Sequence, residues 1–370
     1  MRVLEYIVFH PWKTLAILVA GSLLGTGAFY AHQVSAALGA VAVEDFNPEE
    51  ARSAIETPNR TTDDPLRSAP FDSGEPAYDL DAEMAAIEAQ LAEHPDQPAF
   101  NVSAFGEPIA DDVFDAYLLV GTDASGFLAD AIVMALQPTD GSEPIMVSLP
   151  RDLFVWNLCK QTFTRLNSGL GGCPGEASGL ELLAIMVEDY TGIPIDHIAR
   201  IDFGGFARLV DVMGGITVCL DHPTRDAKAH LELVSAGCQT VDGETALAWV
   251  RSRQPEQLID GEWTAIGGSD FTRQRRQQDV LFQLAGKAAG FSSPASLSNR
   301  LSAVSSSVRL DSSWSLTQAV GEAWRYRGIT RDSVDRFSIS FREYRTSYGA
   351  EVLLPARPFG DDLSEVYSLG

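Results

Sequence analysis

The chain has 370 residues, 45% of them hydrophobic, and a formal net charge of -24 at pH 7. That length holds one large domain or two ordinary ones with a substantial core. So acidic a chain repels a polyanion except at a focused site, which argues against nucleic acid as a partner.

Residues 1–11 form a short N-terminus, and residues 12–31 (Trp12 to Ala31) are almost uninterrupted apolar sequence, broken by Lys13 and small residues such as Gly21, Ser22 and Thr26. That is the length a helix needs to cross a bilayer. Arg2 and Lys13 are the flanking cations, and the first acids beyond the run are Glu44 and Asp45. The positive-inside rule then places the N-terminus in the cytoplasm and the rest outside, as a single-pass membrane protein. The other reading is a cleaved signal peptide, for which Val34–Ala37 offers only a weak site.

Residues 32–111 read as an acidic, mostly flexible extracytoplasmic linker, rich in Asp, Glu, Pro, Ser and Thr from Val43 onward. One island near 79–93 has helical spacing: Leu80, Met84, Ile87 and Leu91, with Asp79 before it and Pro95 beyond.

Residues 112–370 read as a folded domain with its core motifs within 115–290. Ala116–Gly121, Ala131–Leu136 and Ile145–Leu149 are short apolar runs expected as buried strands. Ser178 and Glu181 form a capping box for a helix through Tyr190 that Gly192 closes. Further strands are expected at Ile198–Phe203 and Ile216–Leu220, with a helix across Phe206–Met213 between them. Helices follow at Gly243–Val250 and around Phe271–Ala289, where Val280, Leu281, Leu284 and Ala288 share a face. The tail adds a helix across Leu316–Tyr326 and strands near Phe337–Phe341 and Glu351–Leu354. This alternation predicts a layered α/β sandwich.

Four cysteines fall into two local pairs, Cys159 with Cys173 and Cys219 with Cys238. Outside the membrane, an even set at short loop spacing suggests two disulfides. Buried free thiols are the alternative, and the lack of a C-x-x-C spacing speaks against zinc.

The chemistry concentrates in a few places. Asp123 follows one expected strand and Asp130 precedes the next. Carboxylates meeting at a sheet edge hold magnesium, which takes its other ligands from water and substrate phosphate, although acids at strand ends are more often solvated. Ser148–Asp152 ends a strand with a turn that places Arg151 at the same sheet edge, and Arg165-Leu166-Asn167 leads into Gly171-Gly172. Arg251 and Arg253 form an R-x-R pair directly after the apolar run Ala246–Val250, followed by Asp270, Arg273, Arg275, Arg276, Gln277 and Gln278. Guanidinium forks grip phosphate oxygens in pairs, so a basic cluster in an acidic chain points to a local anion. Arg275 alone reads equally well as a solvated helix residue. No G-x-S-x-G elbow is present, and His197, His222 and His230 show no triad spacing.

Leu119–Asp123, Ser148–Asp152, Arg165–Gly172, Leu209–Val218, Asp242–Arg253 and Asp270–Gln278, in this order, resemble the motifs of LytR-CpsA-Psr proteins, from about Asp112 to Ala289. The anchor and acidic segment also look like the family's layout. The resemblance implies a three-layer α-β-α sandwich and an extracytoplasmic phosphotransferase, with pyrophosphatase activity on the side. Such enzymes move a glycopolymer from a polyprenyl diphosphate carrier, held with membrane lipid around it, to a peptidoglycan acceptor. By matching motifs, Asp123 and Asp130 would carry Mg2+ or Mn2+. Arg151, Arg165, Arg251, Arg253, Arg273 and Gln277 would hold the diphosphate, and the lipid would lie in an apolar tunnel between sheet and helices. The sequence departs from the family where an arginine is usual two residues before Asp130 (Leu128 here) and again in Ala124–Gly126. Arg165 stands where lysine is frequent, and about ten extra residues lie around Glu256–Gly268. Leu128 keeps a second reading open, a catalytically weak scaffold that binds lipid-linked polymer. The sequence assigns neither the polymer nor an oligomeric state.

Overall fold

The computed structural model describes residues 42–56, 80–93, 108–110, 112–123, 125–126, 128–267, 270–288, 308–313 and 331–368. The expected membrane span at 12–31 and the helix across Leu316–Tyr326 lie outside these residues. Among the described residues no helix is long and apolar enough to cross a membrane.

The first half contributes β1 (Ala42–Glu44), α1 (Pro48–Glu56), α2 (Leu80–Glu93), β2 (Phe114–Thr122), β3 (Ala129–Pro138), β4 (Ile145–Leu149), β5 (Phe154–Asn157), β6 (Thr162–Arg165), α3 (Gly179–Thr191) and β7 (His197–Asp202). After these come α4 (Phe203–Val212), β8 (Ile216–Leu220), β9 (Thr224–Asp226), β10 (Leu231–Leu233), β11 (Gly237–Val241), α5 (Gly243–Arg251), β12 (Glu256–Ile259), β13 (Glu262–Ala265) and α6 (Asp270–Ala288). The C-terminal part supplies β14 (Val308–Asp311), β15 (Asp335–Ser338), β16 (Phe341–Arg345), β17 (Glu351–Pro355) and α7 (Phe359–Leu363).

The main sheet runs β1-β14-β7-β2-β3-β4-β15. Pairs β1/β14, β2/β7 and β4/β15 are parallel and the others antiparallel, which makes the sheet mixed. Burial along β2 explains how it is packed. Phe114, Ala116, Leu118, Val120 and Thr122 are buried, whereas the alternate residues are only half-buried. Side chains of a strand alternate between its faces, so one face is tightly covered and the other has space above it. The covered face packs on α3, whose capping box at Ser178–Glu181 and left-handed Gly192 bound it as expected, with α1 and α7 beside it. Leu180, Leu182, Leu183, Ile185, Met186 and Val187 are buried there, and each such side chain stabilises the fold by about 1.5–3 kcal/mol. The other face is roofed by α4, α5 and α6, which completes the expected three layers.

Several expectations need correction. Residues 42–56, read as part of a mostly flexible linker, are built into the fold, and the helix expected near 79–93 is present as α2 and docks on it. β1 joins the sheet edge, and α1 buries Ala51 and Ile55 while Arg52 pairs with Asp189 (2.7 Å). α2 places Ile87 against Phe154, Tyr344, Val352 and Leu354. The Glu83 carboxylate, 0% exposed, accepts from Tyr344 Oη (2.6 Å) and the Ser347 amide (3.0 Å). A low average hydrophobicity hid the few apolar residues that dock. α4 begins at Phe203 instead of Phe206 because Asp202 caps it, accepting from the Gly205 amide at 2.7 Å. The single strand expected near Phe337–Phe341 is two, β15 and β16. Both expected disulfides, Cys159–Cys173 and Cys219–Cys238, are present.

Candidate active site

The ladder between β2 and β3 slips at its end: Gly121 faces Ala131 but Thr122 faces Ala129, leaving Asp130 as an extra residue. A bulge of this kind re-aims a side chain, and here Asp130 and Ala131 both line the space above the open sheet face. Asp123 leaves β2 one residue after its end. Its Oδ1 accepts from Ser125 Oγ (2.6 Å) and the Gly126 amide (3.0 Å), and its own amide donates to the Leu128 carbonyl (3.1 Å). The Ser125 bond, helped by the backbone amides, holds its carboxyl below the usual range. The two carboxylates therefore flank one loop at the ends of adjacent strands.

Arg151 follows β4 and forms an ion pair with Asp130, while its Nε reaches Asp152 Oδ2 at 3.3 Å. Burial works against its charge, but Asp152 and Asp130 outweigh that and raise its pKa. Arg165 is placed differently. Its guanidinium donates to the Glu351 carbonyl (2.8 and 3.2 Å) and lies 3.6 Å from Asp152, so it ties β6 to β17 and does not line the pocket described below.

α5 is capped by Asp242, which accepts from the Thr245 amide at 2.9 Å, and carries Arg251 in its last turn, where the helix dipole favours a cation. The Arg251 guanidinium carbon lies 4.4 Å over the Phe203 ring. Asp226, which carried no motif in the sequence, organises the segment that follows. It is 2% exposed, and its Oδ2 accepts from Ser252 Oγ (2.8 Å) and from the amides of Arg253 (3.0 Å) and Gln254 (2.8 Å). Its Oδ1 accepts from the amides of Lys228 (3.0 Å) and Ala229 (3.2 Å). Burial alone would raise its pKa; the donors from Gln254, Ser252, Ala229 and Arg253 overcome burial and lower it.

α6 crosses over this loop. Arg273, 6% exposed, and Gln277 one turn later share the face toward the site. Arg276 donates to the Ser252 carbonyl (3.1 Å) and stacks at 4.1 Å on Trp249, and Gln278 donates to Ser148 Oγ at 3.1 Å. These bonds fix α6 against α5 and β4. Arg275 points elsewhere, into a different cleft with Arg336.

Two spaces meet here. An apolar cavity of about 240 Å3 lies between the open sheet face and the helices, lined by residues such as Leu119, Val133, Phe206, Leu247 and Leu281. A polar pocket of about 340 Å3 is lined by Asp130, Arg151, Asp226, Lys228, Arg251, Arg253, Gln254, Arg273 and Gln277. Asp130, Val250, Arg251 and Gln277 line both. The pocket has more cations than carboxylates in a chain of charge -24, and such a cleft concentrates anions. The arrangement suits an amphiphile with an apolar tail and an anionic head. Among the described residues no group of three or more His, Cys, Asp or Glu is gathered for a metal. Of the two carboxylates expected to carry a metal, Asp130 lines both spaces and Asp123 lines neither; hard carboxylate oxygens are what magnesium takes beside phosphate and water.

The model of the LytR_cpsA_psr family matches residues 82–357. The chain belongs to the LytR-CpsA-Psr family. Its fold matches a LytR-Csp2A-Psr enzyme from Actinomyces oris, with a TM-score of 0.55, 27% identity and coverage of 74% of this chain and 97% of that one. The fold of TagV from B. subtilis is also similar, at TM-score 0.54 and 21% identity over 70% and 95% of the two chains. In sequence it is 36% identical to a probable cell wall biosynthesis protein LcpB of Corynebacterium glutamicum over 48% of this chain, an alignment that spans only 38% of that relative. It is 28% identical to TagU of Halalkalibacterium halodurans, named a polyisoprenyl-teichoic acid–peptidoglycan teichoic acid transferase, over 63% of this chain and 70% of that one. Two departures of this LytR-CpsA-Psr chain acquire a place. Leu128, 51% exposed, sits in the loop between the two carboxylates. The extra residues around Glu256–Gly268 form the β12–β13 hairpin, which extends β9 and β10 into a four-stranded sheet beside the R-x-R segment.

Proposed function

We propose that this protein is a membrane-anchored extracytoplasmic phosphotransferase that moves a glycopolymer from a polyprenyl diphosphate donor to a peptidoglycan hydroxyl. The observation that carries the reading is the shared wall of Asp130, Arg251 and Gln277 between an apolar cavity and a cationic pocket. The prenyl chain occupies the cavity and the diphosphate the pocket, with residues 12–31 as the anchor. The name of the TagU relative supports this donor and acceptor class.

In this reading Arg151, Arg251, Arg253, Arg273 and Gln277 bind the diphosphate and offset its charge as the acceptor approaches. The acceptor oxygen bonds to the phosphorus that bears the polymer, the bridging P–O bond breaks, and polyprenyl phosphate leaves. The acceptor proton passes to a carboxylate of the Asp123–Asp130 pair. Asp123 and Asp130 would hold Mg2+ or Mn2+, which when bound supplies further neutralisation of phosphate charge. Water in place of the sugar hydroxyl gives the pyrophosphatase side reaction.

Transfer of label from a lipid-linked donor to peptidoglycan tests the proposal: the parent should transfer, and Arg251→Ala should not. The exposed Leu128, where the family resemblance leads one to expect an arginine, favours the second reading of a weakly catalytic scaffold. Tight donor binding with no transfer by the parent would select it.

A further inference from the structure

Lys228 stands in the wall of the polar pocket and has no part in the reading above. It comes from the turn between β9 and β10, which His230 closes by donating its amide to the Ala227 carbonyl at 3.4 Å. Two anchors fix the backbone of that turn. Ala229 is buried in the apolar cluster that α4, α5 and α6 form with β8 and β10. The amides of Lys228 and Ala229 both donate to Asp226 Oδ1, at 3.0 and 3.2 Å. The other oxygen of Asp226 accepts from the Arg253 and Gln254 amides. One buried carboxylate thus registers Lys228 against the R-x-R segment.

The side chain itself is uncommitted. Lys228 is exposed where Asp226 and Ala229 are buried, so it stands at the mouth of the pocket. Among the described residues its ammonium makes no ion pair and no hydrogen bond, whereas Arg151 is held by Asp130 and Asp152. A compact cation with three donors and an open side suits the oxygens of one phosphate. Its place says which phosphate. Asp130, Val250, Arg251 and Gln277 line both the pocket and the apolar cavity, while Lys228 lines the pocket and not the cavity. With a prenyl chain in the cavity, the phosphate that carries it lies by the shared wall. The phosphate that carries the polymer then lies farther out, toward Lys228.

We propose that Lys228 binds the polymer-side phosphate of the donor, the one whose phosphorus the acceptor attacks, and so sets its position against the R-x-R pair. The inference rests on the transferase reading of the two spaces. Calorimetric titration of geranyl monophosphate and geranyl diphosphate into the full chain tests it, the outer phosphate of the diphosphate standing in for the one that bears the polymer. The parent should hold the diphosphate more tightly than the monophosphate. Lys228→Met should weaken the diphosphate about fivefold or more and leave the monophosphate within about twofold. The melting temperature should not move, because the side chain is exposed, and Lys228→Arg should keep the diphosphate affinity. A methionine variant that loses both ligands equally would make the turn a structural support, and one that loses neither would make Lys228 a solvated residue; either result overturns the proposal while the donor reading stands. A parent that binds neither ligand, or both alike, refutes the donor reading itself and this proposal with it.

Discussion

Replacing Asp226 with asparagine should disable the pocket from beneath it. The carboxylate accepts five hydrogen bonds, three of them from Ser252 and the Arg253 and Gln254 amides that shape the R-x-R segment. Asparagine offers one acceptor oxygen and turns an NH2 toward the remaining donors. Hydrogen bonds to a charged group are worth about 1.5–3 kcal/mol each, and with partial relaxation a net loss of about 3 kcal/mol is expected. In a domain of this size that lowers Tm by roughly 6–12 °C. Transfer at 25 °C, where the variant is still folded, should fall at least about tenfold, because Arg253 loses its anchor and small misplacements of a binding group are costly. Scanning calorimetry and the transfer assay read the two effects separately. The pH dependence has a definite sign. The folded pKa of Asp226 lies below its ordinary 3.8, so its contribution is complete above the unfolded pKa. It is lost as pH falls through the folded value, and the stability gap between parent and variant should close in that acidic window. An asparagine variant that melts and transfers like the parent would show that Asp226 does not hold the loop.

Arg253→Lys keeps the charge but loses the guanidinium fork, and transfer should drop about ten- to a hundredfold with melting unaffected; parental turnover would refute the clamp. Magnesium titrated with a diphosphate analogue should bind the parent and fail to bind Asp123→Ala or Asp130→Ala, and unchanged binding in both would remove the metal assignment. Cys219 and Cys238 face each other across the β8–β11 pair. Replacing both with serine should cost about 3 kcal/mol in the chain-entropy estimate, read by denaturant unfolding. Glu83→Ala leaves Tyr344 and Ser347 without their buried acceptor and should cost about 2–3 kcal/mol, while transfer, measured below the transition, stays at the parental rate.

Local chemistry made much of this legible. α3 could be bounded from Ser178, Glu181 and Gly192 because capping is decided within one helical turn. The apolar runs of β2, β3 and β4 were plain because these strands are buried along most of their length. Asp130 and, from three separate motifs, Arg151, Arg251, Arg253, Arg273 and Gln277 converge on one pocket. Asp226 stayed hidden because its partners lie 26 to 28 residues further on, a relation no window of sequence holds. The bulge at Asp130 depends on strand register and leaves no residue signature. The β12–β13 hairpin was within reach: Asp260 and Gly261 both adopt positive φ, the turn an Asp-Gly pair favours between strands. The three-residue strands β9 and β10 gave no periodicity to read.

If residues 12–31 span a bilayer, as proposed, the docking of β1 sets how far the folded domain can lie from it. With residues 12–31 as the proposed span, only the ten residues 32–41 separate it from the first sheet strand. At about 3.6 Å per residue they extend at most about 36 Å, whatever path they take. β1 pairs with β14, and Val308 of β14 lines the apolar cavity. On that proposal the leash would meet the sheet at its edge strand, beside the strand whose Val308 lines the cavity. A prenyl carrier could then keep part of its chain among the lipids while its diphosphate reaches the guanidiniums, and the wall acceptor would have to approach the membrane to meet it.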